Sequence, residues 1–366
     1  ALGGKVVDKA GEPVVGAAVV ATHEPSGTVY GVVTNEDGRY VINGMRSGGP
    51  YKVEISCLGY QTVINTDITL QLGEPYALNS ALNDDSEMLS EAMVVAQAAS
   101  RFAGEKTGAA TNISSAQMDA LPNISRSLED VSKLSPYGGN GMNFAGGDGR
   151  SSNFTVDGAN FNNNFGLNEG LPGGGNPISI DAIEEMQVVI APYDVRQTNF
   201  IGGGMNAITK SGTNQFKGSA YTYHKNEWMR GNTNYLGEEF GNRNKERMTT
   251  YGFTLGGPII KNKLFFFVNF ERSQSPTEVN LWRASVDGVA DADHYISRTT
   301  EADMEAVKKH LMDNYGYDAG SYTDYPAQET NTKVLARIDW NINDNHHLAV
   351  RYNYTLNQSW TATNRS

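Results

Sequence analysis

The glycine run that precedes Met205 raises a question of chemistry. The stretch Gly204–Ser211, GMNAITKS, falls one residue short of the phosphate-binding loop G-x-x-x-x-G-K-[ST], in which backbone amides and a lysine hold nucleotide phosphates. It is either a damaged nucleotide site or a glycine run with another purpose. The chain contains no G-x-S-x-G or H-E-x-x-H motif and no Cys–His pair, and its six histidines are scattered. These absences argue against an enzyme.

Composition favours a multidomain β-protein. The 366 residues exceed the usual size of one domain, and 40 glycines, 18 tyrosines and 13 phenylalanines suit strands and turns. A formal charge of −12 argues against nucleic-acid binding, which normally requires a basic face. A single cysteine excludes an internal disulfide and a cysteine-based metal site. No run approaches the roughly 18–20 apolar residues of a membrane helix, and no leader precedes the first strand-like residues, so a secreted protein would be a processed form.

Residues 1–82 alternate strand-like runs with turn signals. Asp8–Pro13 is one such signal, and Asn35–Gly38 predicts a tight turn between two alternating strands. Asn35–Gly38 lacks the spaced oxygen ligands of a calcium-binding loop. Alternation in the next run places Tyr51, Val53, Ile55 and Cys57 on one face. We therefore predict that Cys57 is a core residue rather than a redox group.

Three motifs carry a resemblance for this region: GKVVDKAGEPVVGAAV, TNEDGRY and ISCLGYQT. They resemble the carboxypeptidase regulatory-like, or transthyretin-like, sandwich. The resemblance implies a seven-stranded accessory fold. It does not imply peptidase activity, because residues 1–82 contain no H-x-x-E or H-E-x-x-H zinc motif.

Residues 83–98 form a tether with a short apolar centre. On composition the segment is either a linker or a donor strand, which is an extended segment that pairs with the sheet edge of a partner. The sequence EAMVVAQ resembles a TonB box, the stretch by which TonB grips outer-membrane transporters, although Glu91 and Ala92 stand where the family more often has Asp-Thr. The TonB-binding residues implied by this resemblance are Glu91, Ala92, Met93, Val94, Val95 and Ala96.

Residues 99–213 read as a glycine- and asparagine-rich α/β domain. Ser127–Asp130 has a capping-box pattern, with Leu128, Val131 and Leu134 on one stripe, and Asp181–Glu184 predicts a second short helix before a strand. The loops between them are too apolar for a flexible linker. They also lack the preceding strand and following helix that a nucleotide-binding loop requires. They are therefore either ligand-binding loops or packed filler. The ligand-binding candidates are Asn143, Asp148, Arg150, Asn160, Phe161, Asn162, Asn163 and Asn164.

The order of motifs in this domain carries the main resemblance. SSNFTVDGANF followed by ISIDAIEEMQVVIAPYDVRQTNFIGGGMNAITKSG resembles the plug domain of TonB-dependent receptors and its passage into the barrel. Asn206–Lys210 is then a strand, whereas a phosphate cradle requires a helix N-terminus at that point. We therefore reject the nucleotide site and assign the glycines to close backbone approach and a tight crossing between sheets.

Residues 214–366 contain five alternating segments: KGSAYTYH, TTYGFTLGG, LFFFVNFER, VLARIDWN and LAVRYNYT. Each has one apolar, aromatic face and one polar face, which is typical of transmembrane β-barrel strands but also of a soluble sandwich. Mid-strand charges favour the barrel, because a polar lumen accommodates them: Glu271, Arg337, Asp339 and Arg351. Short turns alternate with an excursion of about 60 residues, 273–332, as in outer-membrane barrels. A helix in this excursion, with Met304, Val307 and Leu311 on one face, is either a surface lid or a packed decoration.

The expected fold class is mainly β with an α/β plug: a transthyretin-like sandwich, the plug, and the first strands of a large antiparallel transmembrane barrel. Five strands cannot close around such a plug, and a plugged barrel has about 22, so we expect further strands after Ser366. The expected function is TonB-driven transport of a polar ligand, such as an oligosaccharide or peptide, in the Oar-like branch of the family. The expected location is the outer membrane of a Gram-negative cell, with the N-terminal sandwich in the periplasm.

The expected partners are TonB by strand addition, outer-membrane lipid, and a surface lipoprotein as a further candidate, with no cofactor, metal or nucleic acid. His346 and His347 are expected to be a barrel-edge pair rather than a metal site. A non-transporting cell-surface adhesin or ligand-binding β-protein is the alternative function. It leaves the apolar donor segment and the lumen-type charges unexplained.

Overall fold

A computed structural model gives the conformation of most of the chain. It describes residues 1–84, 93–96, 109–120, 126–139, 142–162, 171, 176–190, 197, 201–229, 231, 233, 235–237, 247–278, 282–322, 326–343 and 346–359. One compact unit consists of residues 1–219, 253–270 and 333–355, and a second of residues 220–252, 271–332 and 356–366. None of the helices in the described ranges has the length and apolar character needed to span a membrane.

The N-terminal sandwich encloses one apolar core between two sheets. Its own strands are β1 (Leu2–Asp8), β2 (Ala18–His23), β3 (Thr28–Val33), β4 (Arg39–Ile42), β5 (Gly48–Ser56), β6 (Val63–Leu70), β7 (Tyr76–Ala77) and β8 (Ser80–Leu82). In one sheet β1 pairs with β4, β7 and β8. The other has the order β3-β2-β5-β6 and continues into a fifth strand, β9 (Met93–Ala96).

Cys57 lies at the margin of this core. Tyr51, Val53 and Ile55 are fully buried, as their alternation predicts. The strand ends at Ser56, however, and the chain turns. Cys57 is therefore only partly buried and packs against the edge of the cluster.

The plug is a five-stranded sheet with two short helices. Its elements are β10 (Ala109–Ser114), α1 (Ser115–Ala120), α2 (Leu128–Ser132), β11 (Asn153–Val156), β12 (Ala159–Asn160), β13 (Ile183–Ile190) and β14 (Gly204–Thr209), with single 3-10 turns at Gly149–Ser151 and Ile180–Ala182. The sheet order is β10-β13-β14-β11-β12. Phe144, Phe154, Met186 and Met205 lie in its core with no exposed surface.

The two predicted plug helices are shorter than expected. Ser127 caps α2 by accepting a hydrogen bond from the amide of Glu129, but the helix ends before Leu134, which is 40% exposed and so is not part of the buried stripe. At Ile180–Ala182 a single 3-10 turn replaces the expected helix. Strand β13 begins at Ile183, where the backbone pairs with β14 instead of continuing the helical turn.

The glycine run before β14 allows a close approach, as predicted. A Cβ atom added at Gly203 would lie 2.7 Å from the Cβ of the buried Phe144. The residues after it form β14 rather than a helix, and β14 pairs with both β13 and β11. The segment therefore offers no helix N-terminus to a phosphate.

All five alternating segments of the C-terminal region are strands. They are β15 (Lys217–Asn226), β16 (Arg247–Ile260), β17 (Leu264–Glu278), β20 (Pro326–Asn343) and β21 (His346–Gln358), in the order β15-β16-β17-β20-β21. We call this sheet the wall. The side chains of one face remain exposed although they are apolar: Tyr251, Phe253, Leu255, Ile338, Trp340, Leu348, Val350, Tyr352 and Tyr354. The opposite face buries Phe265, Phe267, Asn269, Glu271 and Asp339.

The long excursion contains strands β18 (Arg283–Ser285) and β19 (Ile296–Thr300) and helix α3 (Glu301–Tyr315). Thr300 and Asp303 form a reciprocal capping box at the start of α3, and Gly316 ends it in the left-handed conformation. None of its residues is buried, and Val307 is 57% exposed. The predicted helix is thus present, and Met304 and Leu311 of its apolar stripe are half-buried whereas Val307 is exposed.

Candidate functional site: the plug and wall junction

The V-D-G motif of the plug forms a two-residue hairpin. Val156 pairs with Ala159, and the intervening Asp157 and Gly158 both have positive φ, at 50° and 84°. Asp-Gly suits such a turn, because both central residues must adopt the left-handed conformation. The Asp157 carboxylate also accepts hydrogen bonds from the amide and hydroxyl of Thr209, at 3.0 and 2.6 Å. The turn therefore fixes the carboxylate against strand β14.

Two arginines of the wall converge on this carboxylate. The guanidinium of Arg351 forms an ion pair with Asp157, and a nitrogen of Arg337 lies 3.8 Å from it. Arg337 also grips Asp339 with two hydrogen bonds of 2.8 Å and donates a third, of 2.7 Å, to the carbonyl of Thr209. The side chains of Asp157 and Asp339 are only 8% and 4% exposed.

The sandwich contributes a third arginine to the same group. Arg46 lies 3.3 Å from the carboxylate of Asp339 and donates a hydrogen bond of 3.1 Å to the hydroxyl of Ser211. We call Arg46, Asp157, Arg337, Asp339 and Arg351 the arginine cluster. Three guanidinium groups meet two carboxylates here, so the cluster carries a net positive charge. Buried pairs of this kind depend on every partner, because losing one leaves an uncompensated charge.

A cavity of about 570 Å³ lies beside the arginine cluster. Its lining includes Arg46 and Arg337 of the cluster and the side chains of Lys210, Glu184 and His23. Burial, followed by the positive charge of Arg46, lowers the pKa of His23 to about 4. This histidine is therefore neutral near pH 7, and its Nδ1 lies 2.6 Å from the hydroxyl of Ser26.

A second contact ties the sandwich to the plug sheet through the backbone of Leu72. The amide of Leu72 donates to both oxygens of Glu185, at 3.1 and 3.0 Å. Its carbonyl accepts from the side-chain amides of Gln187, at 2.6 Å, and Asn112, at 3.3 Å. We call these four residues the Leu72 clasp. Burial raises the pKa of Glu185 to about 7, although the Leu72 amide opposes the shift.

The TonB-box-like segment is a strand. Met93–Ala96 forms β9 and pairs in parallel with Val63–Thr66 of β6. It therefore adds a strand to the edge of the sandwich sheet. Glu91 and Ala92, the other two predicted TonB-binding residues, lie outside the described residues.

Three of the predicted ligand-binding residues share one plug loop. Asp148 caps the turn Gly149–Ser151 by accepting from the amide of Arg150, and its carboxylate forms an ion pair of 2.6 Å with the Arg150 guanidinium. These hydrogen bonds from Arg150 lower the pKa of Asp148. Both side chains are about half exposed. Asn143 is half-buried, and its side-chain oxygen would lie 2.8 Å from a Cβ atom at Gly149.

The other predicted ligand-binding residues lie after β12. Asn162 bridges two parts of the plug, since its oxygen accepts from the Phe154 amide and its nitrogen donates to the Asn153 side chain, both at 2.6 Å. Phe161 packs edge-on against Phe154, and Asn160 accepts from the amide of Asn162. The predicted residues thus form two local groups, one on each loop. Asn163 and Asn164 lie outside the described residues.

No group of three or more His, Cys, Asp or Glu side chains is arranged to hold a metal ion in the part of the chain that the structure describes. His347 contacts Asn341 at 3.0 Å and the ring of Tyr30.

The roles of Arg46, Asp157 and Gln187 were not predicted from the sequence. A signal existed for the last two, because V-D-G demands a left-handed turn and Gln187 lies between the buried apolar residues Met186 and Val188. Arg46 had none, since its partners are distant in sequence.

Comparisons with known proteins match two parts of the chain. Residues 1–83 match the carboxypeptidase regulatory-like domain, and residues 208–365 match an outer membrane beta barrel domain. Across 96% of its length the chain is 25% identical to the TonB-dependent transporter Oar of Myxococcus xanthus. The chain spans 33% of the length of that relative.

Two solved structures are similar to part of this chain. One is the outer membrane transporter YddB of Escherichia coli, with 13% identity over 69% of this chain and 33% of that chain and a TM-score of 0.47. Another is the siderophore receptor PirA of Pseudomonas aeruginosa, with 14% identity over 69% and 36% of the two chains and a TM-score of 0.42.

The domain matches and the relative confirm the resemblance identified from the motifs and the mainly β fold class. The barrel domain confirms the outer-membrane location. The relative is a transporter rather than an enzyme, as the sequence led us to expect.

Proposed function

We propose that the chain supplies the plug and part of the wall of a TonB-dependent transporter that moves a polar ligand across the outer membrane. In this proposal TonB binds the segment Glu91–Ala96 by strand addition, and force on that segment remodels the plug. No bond in the ligand is made or broken. The observation that carries the proposal is that the plug meets the wall through hydrogen bonds and ion pairs of the arginine cluster.

Such contacts suit a plug that must move and return. Asp157 holds its place through two arginines of the wall and Thr209 of the plug, and these contacts can break and re-form without chemistry. A purely apolar junction would fix the position of the plug less specifically, because apolar contacts are not directional. Once the plug shifts, water can solvate the charged groups of this junction, which lowers the cost of separating them.

For the ligand we propose the exposed loop groups of the plug. Asn160, Asp148 and Arg150 are exposed and carry both donors and acceptors. Phe161 and Asn162 are engaged with the plug core, so their part is to hold the loop that presents Asn160. Amide and charged groups beside an aromatic ring suit oligosaccharides or peptides. Binding of a panel of oligosaccharides and short peptides to the wild-type chain and to Asn160→Ala would test this assignment.

Binding of the TonB periplasmic C-terminal domain to the native protein in detergent tests the partner. Val95→Pro removes a backbone N–H within β9, whereas Val95→Thr keeps the N–H and a β-branched side chain. We expect wild type and Val95→Thr to bind alike and Val95→Pro to bind roughly tenfold or more weakly. A wild-type protein that does not bind the domain would contradict the proposed function.

A further inference from the structure

The strand that TonB is proposed to grip is already part of a sheet. Val63, Ile64, Asn65 and Thr66 of β6 face Met93, Val94, Val95 and Ala96 of β9 in parallel register. Without β9, β6 would be the last strand of the order β3-β2-β5-β6. An unpaired edge of this kind exposes backbone N–H and C=O groups. The segment therefore covers the edge of the sandwich.

Pairing with β6 uses only one side of β9. Along a strand in a parallel sheet, successive residues direct their N–H and C=O groups to opposite edges. In the described part of the chain β9 is the last strand of its sheet. Its outer edge is thus a second row of backbone groups that a further strand can use while β6 stays in place.

We propose that TonB docks on this outer edge without displacing β9 from β6, so that the sandwich sheet continues into the sheet of TonB. This inference rests on the proposed function, in which TonB binds the segment around Met93–Ala96. Two physical arguments favour it. A strand already ordered on β6 loses less conformational entropy on binding than a free tether. Displacement would also uncover the edge of β6.

The docking surface then belongs to the sandwich as well as to the segment. Strand β6 ends at Leu70, and two residues later Leu72 enters the clasp with Glu185 and Gln187 of the plug. A pull on β9 is therefore transmitted through β6 to Leu72 and to plug strand β13. In this arrangement the N-terminal sandwich transmits force from TonB to the plug.

A reversible lock between β6 and β9 tests the inference. Thr66 and Ala96 are register partners, and neighbouring strands lie at about 4.8 Å, within the Cα range of a disulfide. The variant Thr66→Cys/Ala96→Cys is made in the full chain with Cys57→Ser, which removes the one native thiol of residues 1–366. Each preparation is measured oxidised and reduced for binding of the TonB C-terminal domain, with Ala96→Cys alone as the matched control.

We expect the oxidised lock to bind the TonB domain with a Kd within about twofold of its reduced form, because β9 need not leave β6. A loss of roughly tenfold or more on oxidation, recovered on reduction, would show that TonB must peel β9 away and would overturn the inference while leaving the proposed function intact. Failure of the reduced variant and the wild type alike to bind would overturn both.

Discussion

Asp157 places its carboxylate between Arg337 and Arg351 of the wall and against Thr209 of the plug, with only 8% of its side chain exposed. Asp157→Asn removes the charge but keeps the shape, so Arg351 loses its ion-pair partner while Arg337 keeps Asp339. We expect the free energy of unfolding of the plug to fall by about 2 kcal/mol, because the buried Asp157 loses charge-assisted bonds while Arg351 stays partly solvated. This change is measured by denaturant unfolding in detergent, with the protease accessibility of the plug as the readout.

Asp148→Asn is the matched control for that substitution. It also breaks an aspartate–arginine pair in the plug, but both side chains are about half exposed. Water solvates the arginine once the pair is lost, so we expect no measurable change in unfolding. Equal effects of the two substitutions would contradict the role given to the arginine cluster.

Glu185 should make the stability of the wild-type chain depend on pH. Burial raises its pKa in the folded state to about 7 from 4.5. The folded state then binds the proton more tightly than the unfolded chain, so this contribution to stability is complete below about pH 4.5 and is lost as the pH rises to about 7. The shift corresponds to about 3 kcal/mol.

Glu185→Gln retains an acceptor for the Leu72 amide and does not titrate. We therefore expect the difference in unfolding free energy between this variant and wild type to grow in favour of the variant from pH 4.5 to 7. Urea unfolding at several pH values tests it. A constant difference across that window would show that Glu185 keeps an ordinary pKa.

At the scale of elements, the turn after β6 depends on a glycine. Gly73 has a φ of +68°, and a Cβ atom there would lie 2.7 Å from the side-chain nitrogen of Gln187. Gly73→Ala should therefore add a clash with the Leu72 clasp to the strain of a left-handed alanine, which is about 1–2 kcal/mol. The loss of stability appears as a lower midpoint of thermal unfolding.

Gly44→Ala separates the clash from the backbone strain. Gly44 has a φ of +72°, close to that of Gly73, and an added Cβ atom would meet nothing within 4 Å. We expect Gly73→Ala to lower the midpoint further than Gly44→Ala. The opposite ranking would mean that the Leu72 clasp accommodates the added methyl group with no loss of stability.

The two faces of strand β21 should respond differently to charge. Val350 is 55% exposed on the apolar face, whereas Arg351 on the other face contacts Asp157. Val350→Arg places a charge toward lipid and should cost about 2–4 kcal/mol near the middle of the bilayer. Ala349→Arg, on the face of Arg351, should cost far less. Folding yields of the two variants in lipid vesicles compare them directly.

The wall strands were predictable because period-two alternation depends only on local sequence. The same reasoning was wrong for the helix expected at Asp181–Glu184, where polar residues resemble a helix start but Ile183 already pairs with Thr209 of β14. It also overextended α2 to Leu134. At Asp181–Glu184 the pairing with β14 determined where the helical conformation stops.

At the scale of the whole molecule, the junctions between domains had no local signal. Arg46 and Ser211 are 165 residues apart, and Leu72 and Gln187 are 115 apart. Composition and spacing say nothing about such pairs, since only the assembled fold brings them together. The family resemblance supplied the domain order, and the structure supplied the arginine cluster and the Leu72 clasp. The ligand-binding and TonB-binding assignments stay predictions.

The account depends most on one claim, that this chain is part of a plugged barrel in the outer membrane. The direct measurement is fractionation of the native protein from its source cells, with electrophoresis of boiled and unboiled samples. We predict that it is found in the outer-membrane fraction and migrates faster before boiling, because a closed barrel resists detergent until heated. A soluble protein whose migration does not change on boiling would contradict the account, and the exposed apolar faces would then belong to the core of a sandwich.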